Sequence, residues 1–523
     1  MPKPYDASTG INTSPLHIRA LFMLGCLCAL HAAASFADPE DPGPKDSTTA
    51  PTAFGAPEPV AELPWGTGNA RSFLVPAYEI PAFQLLLNRF DHYVEDAQTY
   101  PAPTSNLSRN LHRDWVVDDD KFSTNQFLHP YQGSIYQGLA RSSGLGFWEA
   151  SGYTFAASLV WEEAGENTAP SINDQIATGI GGNFLGEALF RMASLLLESA
   201  PNGRPGFWRE LGAAAISPGT GFNRLAHGSR FAPIFPSNSP AVFTRVDVSG
   251  IFSSYYTSNI SPNADPSAPP VPQKIRRGTG GSSFTMEYGL PGKPDYSYER
   301  PFDYFDFEFA ANTVNGVDSV FSHGLLAGSD YEVGNTYRGI WGLYGIYDYS
   351  APNIFRVSDT AAAIGTTAQW WMSRNIALQG TALAGVGYGA GGVIRGAGVS
   401  RPGPAGEGLR NYHYGVAPES EVSLRLIMGD RASLEAGARG FYISRLGATE
   451  STGTETIDRL DAVLTIRVYN LHAITLRVSE SNRDGRYAHE PDSHQRTRTV
   501  TIGYALLGHE RFGAVDWRQP NAD

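Results

Sequence analysis

The stretch "YHYGVAPESEVSLRLIM", residues 412–428, decides the fold. Tyr412, Tyr414, Val416, Val422, Leu424, Leu426 and Met428 share one parity; His413, Glu419, Glu421, Ser423 and Arg425 take the other. Strict alternation places these two sets on opposite faces of a strand, one apolar and one charged. The stretch is also long. Globular strands usually run about five or six residues, whereas a tilted strand crossing a bilayer needs roughly ten.

The same period recurs from about residue 242 onward. "FDYFDFEFAA" sets Phe305, Phe307, Phe309 and Ala311 against Tyr304, Asp306 and Glu308. "RLDAVLTIRV" sets Leu460, Ala462, Leu464, Ile466 and Val468 against Asp461, Thr465 and Arg467, and the last segment sets Val500, Ile502, Tyr504 and Leu506 against Thr499, Thr501 and Gly503. The alternation predicts strands near 242–252, 283–290, 302–311, 317–328, 337–349, 359–373, 376–388, 411–428, 432–443, 458–468, 472–480 and 496–506. Aromatics gather near their ends (Tyr337, Trp341, Tyr347, Tyr349, Trp370, Trp371, Tyr412, Tyr414), as interfacial girdles do. Past the signal segment, no run of about twenty apolar residues offers a helical span.

Backbone in lipid must satisfy its own hydrogen bonds, which leaves a closed barrel. The fold class is therefore mainly β: an antiparallel transmembrane β-barrel of about twelve strands, preceded by a small three-helix domain. Leu424 and Leu464 are expected to face lipid, Arg425 and Thr465 the lumen. Outer-membrane barrels commonly end on an aromatic residue, but this chain runs on to "DWRQPNAD".

Composition and the N-terminus agree with export. Charged residues make up 17% of the chain, against about a quarter in ordinary soluble proteins. The formal charge of -13 excludes a nucleic-acid partner, which would need a basic footprint. Lys3, His17 and Arg19 lead into the apolar "ALFMLGCLCALHAAA" and then Ser35-Phe36-Ala37, which reads as a signal peptide over 1–37. The two cysteines, Cys26 and Cys28, lie within it, so the mature chain has neither a disulfide nor a thiolate nucleophile. Residues 38–66 are rich in proline and small residues and read as a disordered linker. A helical domain over 67–235 is expected as a periplasmic cap or barrel plug, followed by the barrel over 236–510 and a tail over 511–523.

Between Asn125 and Glu198 the pattern predicts three helices: from His129-Pro130 to Arg141, from Gly146 to Ala164, and from the capping-box sequence at Ser171 to Glu198. In the third, Leu185, Leu189, Met192 and Leu196 make an apolar stripe, and Gly179, Gly182 and Gly186 leave a side for close approach of another helix. Candidate catalytic residues are His129, oriented by Glu149 or Glu162, and inward-facing His413 with Glu419 and Glu421; Glu187 stands beside them in the polar stripe. Each has a plainer role. His129 beside Pro130 fixes a helix start, Asp174 caps, and Glu187 with Arg191 forms an ion pair at spacing four. Glu149 and Glu163 share a helical face but stand roughly 20 Å apart along the helix, too far to form a dyad. Ser151 and Ser158 lack nucleophile-elbow surroundings. No metal-ligand spacing or phosphate loop is present, so neither cofactor nor metal is expected.

The run Trp115…Asp118-Asp119-Asp120-Lys121-Phe122…Asn125…His129-Pro130…Gly133…Tyr136…Ala140-Arg141, then Ser158-Leu159…Trp161-Glu162 and Gly186-Glu187, resembles the signature of an uncharacterised family of secreted Gram-negative proteins. The resemblance covers roughly Trp65 to Leu197 and implies one defined unit, with no activity attached. Two functions are consistent with the sequence. One is a non-enzymatic outer-membrane barrel with a structural or small-solute transport role, whose partners are outer-membrane lipid and a periplasmic protein held by the helical domain. The other is an outer-membrane lipid or lipopolysaccharide hydrolase with a site at the junction of helices and barrel.

Overall fold

Twelve strands hydrogen-bond into one closed antiparallel ring. The computed structural model describes residues 71–518 apart from 95–98, 101–102, 119, 201–204, 258–272, 353, 394–411, 447–452 and 488–489. The expected signal peptide and linker lie outside the described residues. The strands are β1 Val242–Thr257, β2 Gln273–Tyr288, β3 Phe305–Asn312, β4 Gly316–Val333, β5 Tyr337–Ser350, β6 Phe355–Trp371, β7 Ile376–Val393, β8 Tyr412–Met428, β9 Ala432–Ile443, β10 Gly453–Tyr469, β11 His472–Tyr487 and β12 Glu490–Leu507. β1 closes on β12 from Arg245↔Leu507 to Thr257↔Gln495. At one end the strands join through tight turns; Gly429 and Asn470 there take positive φ, the conformation such turns require. One longer connection, residues 289–304 between β2 and β3, lies at this end too, and those from β1 to β2, β7 to β8 and β9 to β10 lie at the other.

Side-chain parity follows from contacts that only inward residues can make. Arg425 of β8 reaches Glu287 of β2 at 2.7 and 2.5 Å, and Arg245 of β1 reaches Glu435 of β9 at 2.5 Å. Both bonds cross the lumen. Leu424 is 46% exposed on the outer wall, as the alternation requires, and Thr465 lies inside with Arg245 at 3.4 Å. Large apolar side chains exposed outside include Phe252, Trp341, Ile364, Val422, Leu460, Ile474 and Ile502. Aqueous surfaces rarely carry a band of this extent.

The N-terminal region holds seven helices among the described residues: α1 Leu74–Val94, α2 Pro103–Asn110, α3 124–142, α4 147–165, α5 172–198, α6 Phe207–Ile216 and α7 Pro218–His227. The three expected helices correspond to α3, α4 and α5, and Ser171 Oγ accepts from Asp174 N as the capping box requires. The count of three was too low. α1 contains Pro81, and its buried positions include Glu79, Gln84 and Asn88. A helix with its polar residues inside does not carry the pattern of an aqueous amphipathic helix. α3 and α5 cross where a Cβ on Gly182 would stand 2.6 Å from Gly133 Cα, so only glycine fits.

These helices neither cap nor plug the barrel; they lie along its outer wall. Phe184 of α5 packs on Gly345 of β5, and Ser322 Oγ of β4 donates to Phe184 O at 3.2 Å. Farther along, Gly181 meets Thr360 of β6, and Arg191 bonds Asp303 ahead of β3 at 2.9 Å. The helix thus follows the hydrogen-bonded row Tyr288↔Phe305↔Gly324↔Gly345↔Ala362 obliquely across the strands. The lumen is filled instead by barrel side chains and by the tail. Phe512 is fully buried with Phe243, Leu290 and Trp371 at the tight-turn end. Gln369 Nε2 and Trp371 Nε1 donate to Val515 O at 2.6 and 2.9 Å.

This parity makes a paired prediction. Leu424→Arg puts a charge into lipid at about 2–4 kcal/mol near the midplane. Arg425→Leu strips Glu287 of its partner, about 3–5 kcal/mol. Both variants should lose the heat-modifiable band of the folded barrel in unboiled SDS gels, and Ser423→Ala should keep it.

Candidate functional site

Three of the helices each contain one π turn, at Thr124–Leu128, Trp161–Gly165 and Ala177–Gly181. A π turn inserts one extra residue and shifts the phase of the side chains around it, and such turns concentrate at functional sites. Here all three border one buried polar cluster between α3, α4, α5 and the outer wall of the barrel. Asp118, Asn125, His129, Glu162, Asn173 and Asp174 compose it. Asn173 Nδ2 donates to Asp118 Oδ1 at 3.2 Å, to Asp174 Oδ1 at 2.9 Å and to the Tyr414 hydroxyl at 2.9 Å. Asn125 donates to Asp118 and to the Tyr412 hydroxyl. Ser171 N donates to Glu162 Oε2 at 2.8 Å, and His129 Nδ1 lies 3.2 Å from Thr178 Oγ1.

Tyr347, Tyr412 and Tyr414 point out of the barrel yet are buried, because the helices cover them. Tyr347 donates to Gln126 O at 2.7 Å and Tyr412 to Asp120 O at 2.5 Å. These rings, with Tyr349, read from sequence as a lipid girdle. They are a protein seam instead, since an outward aromatic has the same parity whether lipid or a helix covers it.

The seam crowds acids away from water. Burial holds the His129 imidazole down to about 4, against the opposing charge of Asp118. Burial raises the Glu162 and Asp174 carboxyls well above the usual range, with neighbouring carboxylates adding to it. Glu166 is pushed up to about 8, first by burial and then by Asp120 and Asp118. Asp174 Oδ2 accepts no hydrogen bond; His129 Nε2 stands 3.9 Å from it.

The other sequence candidates lie elsewhere. Glu149 is half-exposed, accepting from Gly146 N at 2.9 Å and from Arg71 at 2.5 Å, a helix start rather than a partner of His129. Glu187 is fully buried between two arginines, with Arg141 Nε at 2.7 Å and Arg191 Nε at 2.9 Å. The Phe190 and Phe235 rings stack on those guanidiniums, and Arg191 passes the network on to Asp303. His413 points into the lumen, 3.4 Å from Glu455 Oε1, which also binds Arg483. His129 and Glu162 share one cluster, in which the Thr178 hydroxyl, the His129 imidazole and the Asp174 carboxyl stand in sequence at 3.2 and 3.9 Å, the second step too long for a hydrogen bond. Glu419 and Glu421 line the lumen together beside His323.

A second polar centre fills the lumen. His323 sits between Asp348 at 2.5 Å and Glu421 at 2.7 Å, and Arg439 holds the other oxygen of Glu421 at 3.1 Å. Asp306, His323 and Glu421 bring ligand-type atoms within 4.8 Å of one another. His323 is already held by two carboxylates, so the set reads as a compensated ion cluster. Period-two alternation set Asp306 and Glu421 on the polar faces of their strands; His323, Asp348 and Arg439 were not among the residues read from it. Alternation carried no signal for which residues meet, because the partners come from different strands. A cavity of about 120 Å³ remains among Glu287, Asp306, Glu308, Glu421, Arg425 and Arg439. Above it Tyr255, Ile354, Val357, Phe441 and Ile457 pack together at the long-loop end.

Fold and sites together define a closed twelve-stranded antiparallel β-barrel with an apolar outer wall, carrying a helical domain on that wall. That domain includes the part of the chain with a relative: residues 114–219 match a family model described as a domain of unknown function (DUF3943). No curated protein matches the sequence. Among solved structures, an outer membrane channel from Pseudomonas putida F1 is similar at 9% identity, with a TM-score of 0.25, covering 52% of this chain and 99% of that one. A Pseudomonas aeruginosa FadL homologue is similar at 12% identity and a TM-score of 0.20, covering 53% and 95%. The outer membrane channel DcaP of Acinetobacter baumannii is similar at 8% identity and a TM-score of 0.21, covering 51% and 98%.

Two predictions separate the roles of these carboxylates. Glu187→Ala takes the shared carboxylate from two buried guanidiniums, leaving Arg191 to Asp303 and breaking the ion pair of Arg141, and should cost about 3–5 kcal/mol. Glu149→Ala removes a part-exposed cap bond and a part-exposed ion pair, together worth about 1–2 kcal/mol. Limited trypsin digestion should therefore release the helical region in the first variant and spare it in the second.

The other prediction concerns pH. Below the ordinary glutamate value of 4.5, Glu166 carries its proton in both states. Between 4.5 and about 8 the unfolded chain releases it while the folded chain keeps it, so stability falls as pH rises. Glu166→Gln, with no proton to lose, should gain on the parent from pH 5 to pH 8 in the melting temperature of the helical region.

Proposed function

We propose that this chain is a non-enzymatic outer-membrane barrel of structural role, exported to a Gram-negative outer membrane, in which a closed cylinder holds the helical domain against its wall. The observation that carries this reading is the lumen. A channel needs a continuous polar path, and this lumen is crossed by ion pairs, Arg425–Glu287 and Arg245–Glu435, between facing strands. An apolar layer stands at one end and the folded-back tail at the other. Charges placed so deep are retained only when paired, and removing either partner is costly. They act as rigid cross-struts.

The matched domain supports the same role. α3, α5 and Asp120 ahead of α3 are joined to barrel tyrosines through five hydrogen bonds that involve the hydroxyls of Tyr347, Tyr412 and Tyr414. The geometry is that of an attachment.

Planar-bilayer recording of the purified, heat-modifiable protein tests the proposal. The parent should insert without steady unit conductance over the physiological voltage range. Stable ohmic steps from the parent protein would replace the structural reading with transport.

A further inference from the structure

The helical domain is built inside out. In α1 every exposed position is apolar: Leu74, Ala77, Tyr78, Pro81, Ala82, Leu85, Leu86, Phe90, Tyr93 and Val94. Its buried positions include Glu79, Gln84 and Asn88. In the α-helical turns of α4, up to Val160, the exposed stripe is Trp148, Gly152, Phe155, Ala156, Leu159 and Val160, while Thr154 and Ser158 are buried. α6 exposes Phe207, Trp208, Leu211 and Ala215; α7 exposes Phe222, Leu225 and Ala226 and buries Asn223. Individual values are large: Leu74 is 78% exposed, Trp148 62%, Phe207 70% and Leu225 86%.

The polar residues find their partners inside. Glu79 meets His227 at 2.6 Å, Gln84 donates to Ala157 O at 2.6 Å, and Asn223 donates to Leu139 O at 3.0 Å. Crossings are made by small residues: Gly133 on Gly182, Gly138 beside Gly219, Gly221 on Ala214. In water this partition is inverted, because the exposed faces would be the ones to collapse. In lipid it is the expected one: polar groups face the bundle interior and small residues let backbones approach.

We infer that the acyl chains of the bilayer around the barrel also bathe the outer faces of α1, α4, α6 and α7. The inference rests on the membrane-barrel reading, with which these faces are continuous. The domain covers the outward side chains Met286, Phe305, Phe307 and Val320 of β2 to β4, where lipid would otherwise touch the wall. Its own exposed face then takes their place. Polar exposed positions gather instead on α2 and the segment after it, at Ser105, Ser108, His112, Arg113 and Asp114, which marks the aqueous boundary. Among the described residues no helix is long and apolar enough to cross a membrane. The helices therefore lie in the bilayer as a collar on one flank of the cylinder and do not span it.

The test uses the full chain with Cys26 and Cys28 replaced by serine and a single reporter cysteine, fluorescently labelled. Leu86→Cys, Phe155→Cys and Leu225→Cys probe the collar, Leu464→Cys the barrel wall, and Arg113→Cys water. Each protein is reconstituted in phosphatidylethanolamine–phosphatidylglycerol vesicles, with or without acyl-chain-brominated lipid, and exposed to iodide. The three collar labels should be quenched by brominated lipid as strongly as Leu464→Cys and be shielded from iodide, with Arg113→Cys reversed. Collar labels open to iodide while Leu464→Cys remains lipid-quenched would overturn the inference and leave the barrel reading standing. Iodide quenching of Leu464→Cys as well would overturn both. Collar labels reached by neither quencher would show the face covered by protein, such as a second copy, and would also overturn it.

Discussion

The pairing of β1 with β12 is the constraint on which the rest of this molecule depends. Thirteen residue pairs, from Arg245↔Leu507 to Thr257↔Gln495, close the ring. Without them two strands would each present a row of unpaired N–H and C=O groups to lipid, which has nothing to offer in return. Closure also creates two different surfaces from one alternating sequence. The inner one is narrow enough that side chains from facing strands meet, and the outer one must find apolar cover everywhere.

On the inner surface, closure brings opposite charges across the lumen. Glu287 and Arg425 are 138 residues apart and Arg245 and Glu435 are 190 apart, yet both pairs bond directly. Burial makes each such group costly alone and stable in company. A twelve-stranded cylinder filled in this way is braced across its interior by ion pairs. The tail completes the filling: its backbone satisfies Gln369, Trp371 and Gln379 at the tight-turn end.

On the outer surface, cover comes from two sources. Across β9 to β12 and much of β1, the exposed Leu, Val and Ile side chains stand ready for lipid. From β2 to β8 part of the wall is covered by α3 to α5. The Arg141–Glu187–Arg191–Asp303 network fixes where they lie. The tyrosine seam fixes their other end. The three π turns carry Asn125, Glu162 and Thr178, which bond Asp118, Ser171 and His129 of the polar cluster and its edge.

Whatever depended on local period was legible in the sequence. Alternation places Leu424 outside and Arg425 inside, locates twelve strands, and gives α3, α4 and α5 to within a few residues. Glu187 with Arg191 reads as an ion pair from spacing alone, and Arg141, 46 residues away from Glu187, does not. Parity, however, says which way a side chain points and not what it meets. Tyr412 and Tyr414 read as outward and are outward, but a helix rather than lipid covers them. His129 and Glu162 come together while Glu149 and His413 stay apart, because crossing angles and π turns set those distances. α1 escaped detection for the same reason. The tertiary structure turns Glu79, Gln84 and Asn88 of this helix inward, where His227, Ala157 and Gly165 supply their hydrogen bonds. The sequence alone determined the period and parity of each element. Only the folded chain decided what each face meets, since the partners come from parts of the chain tens to hundreds of residues away.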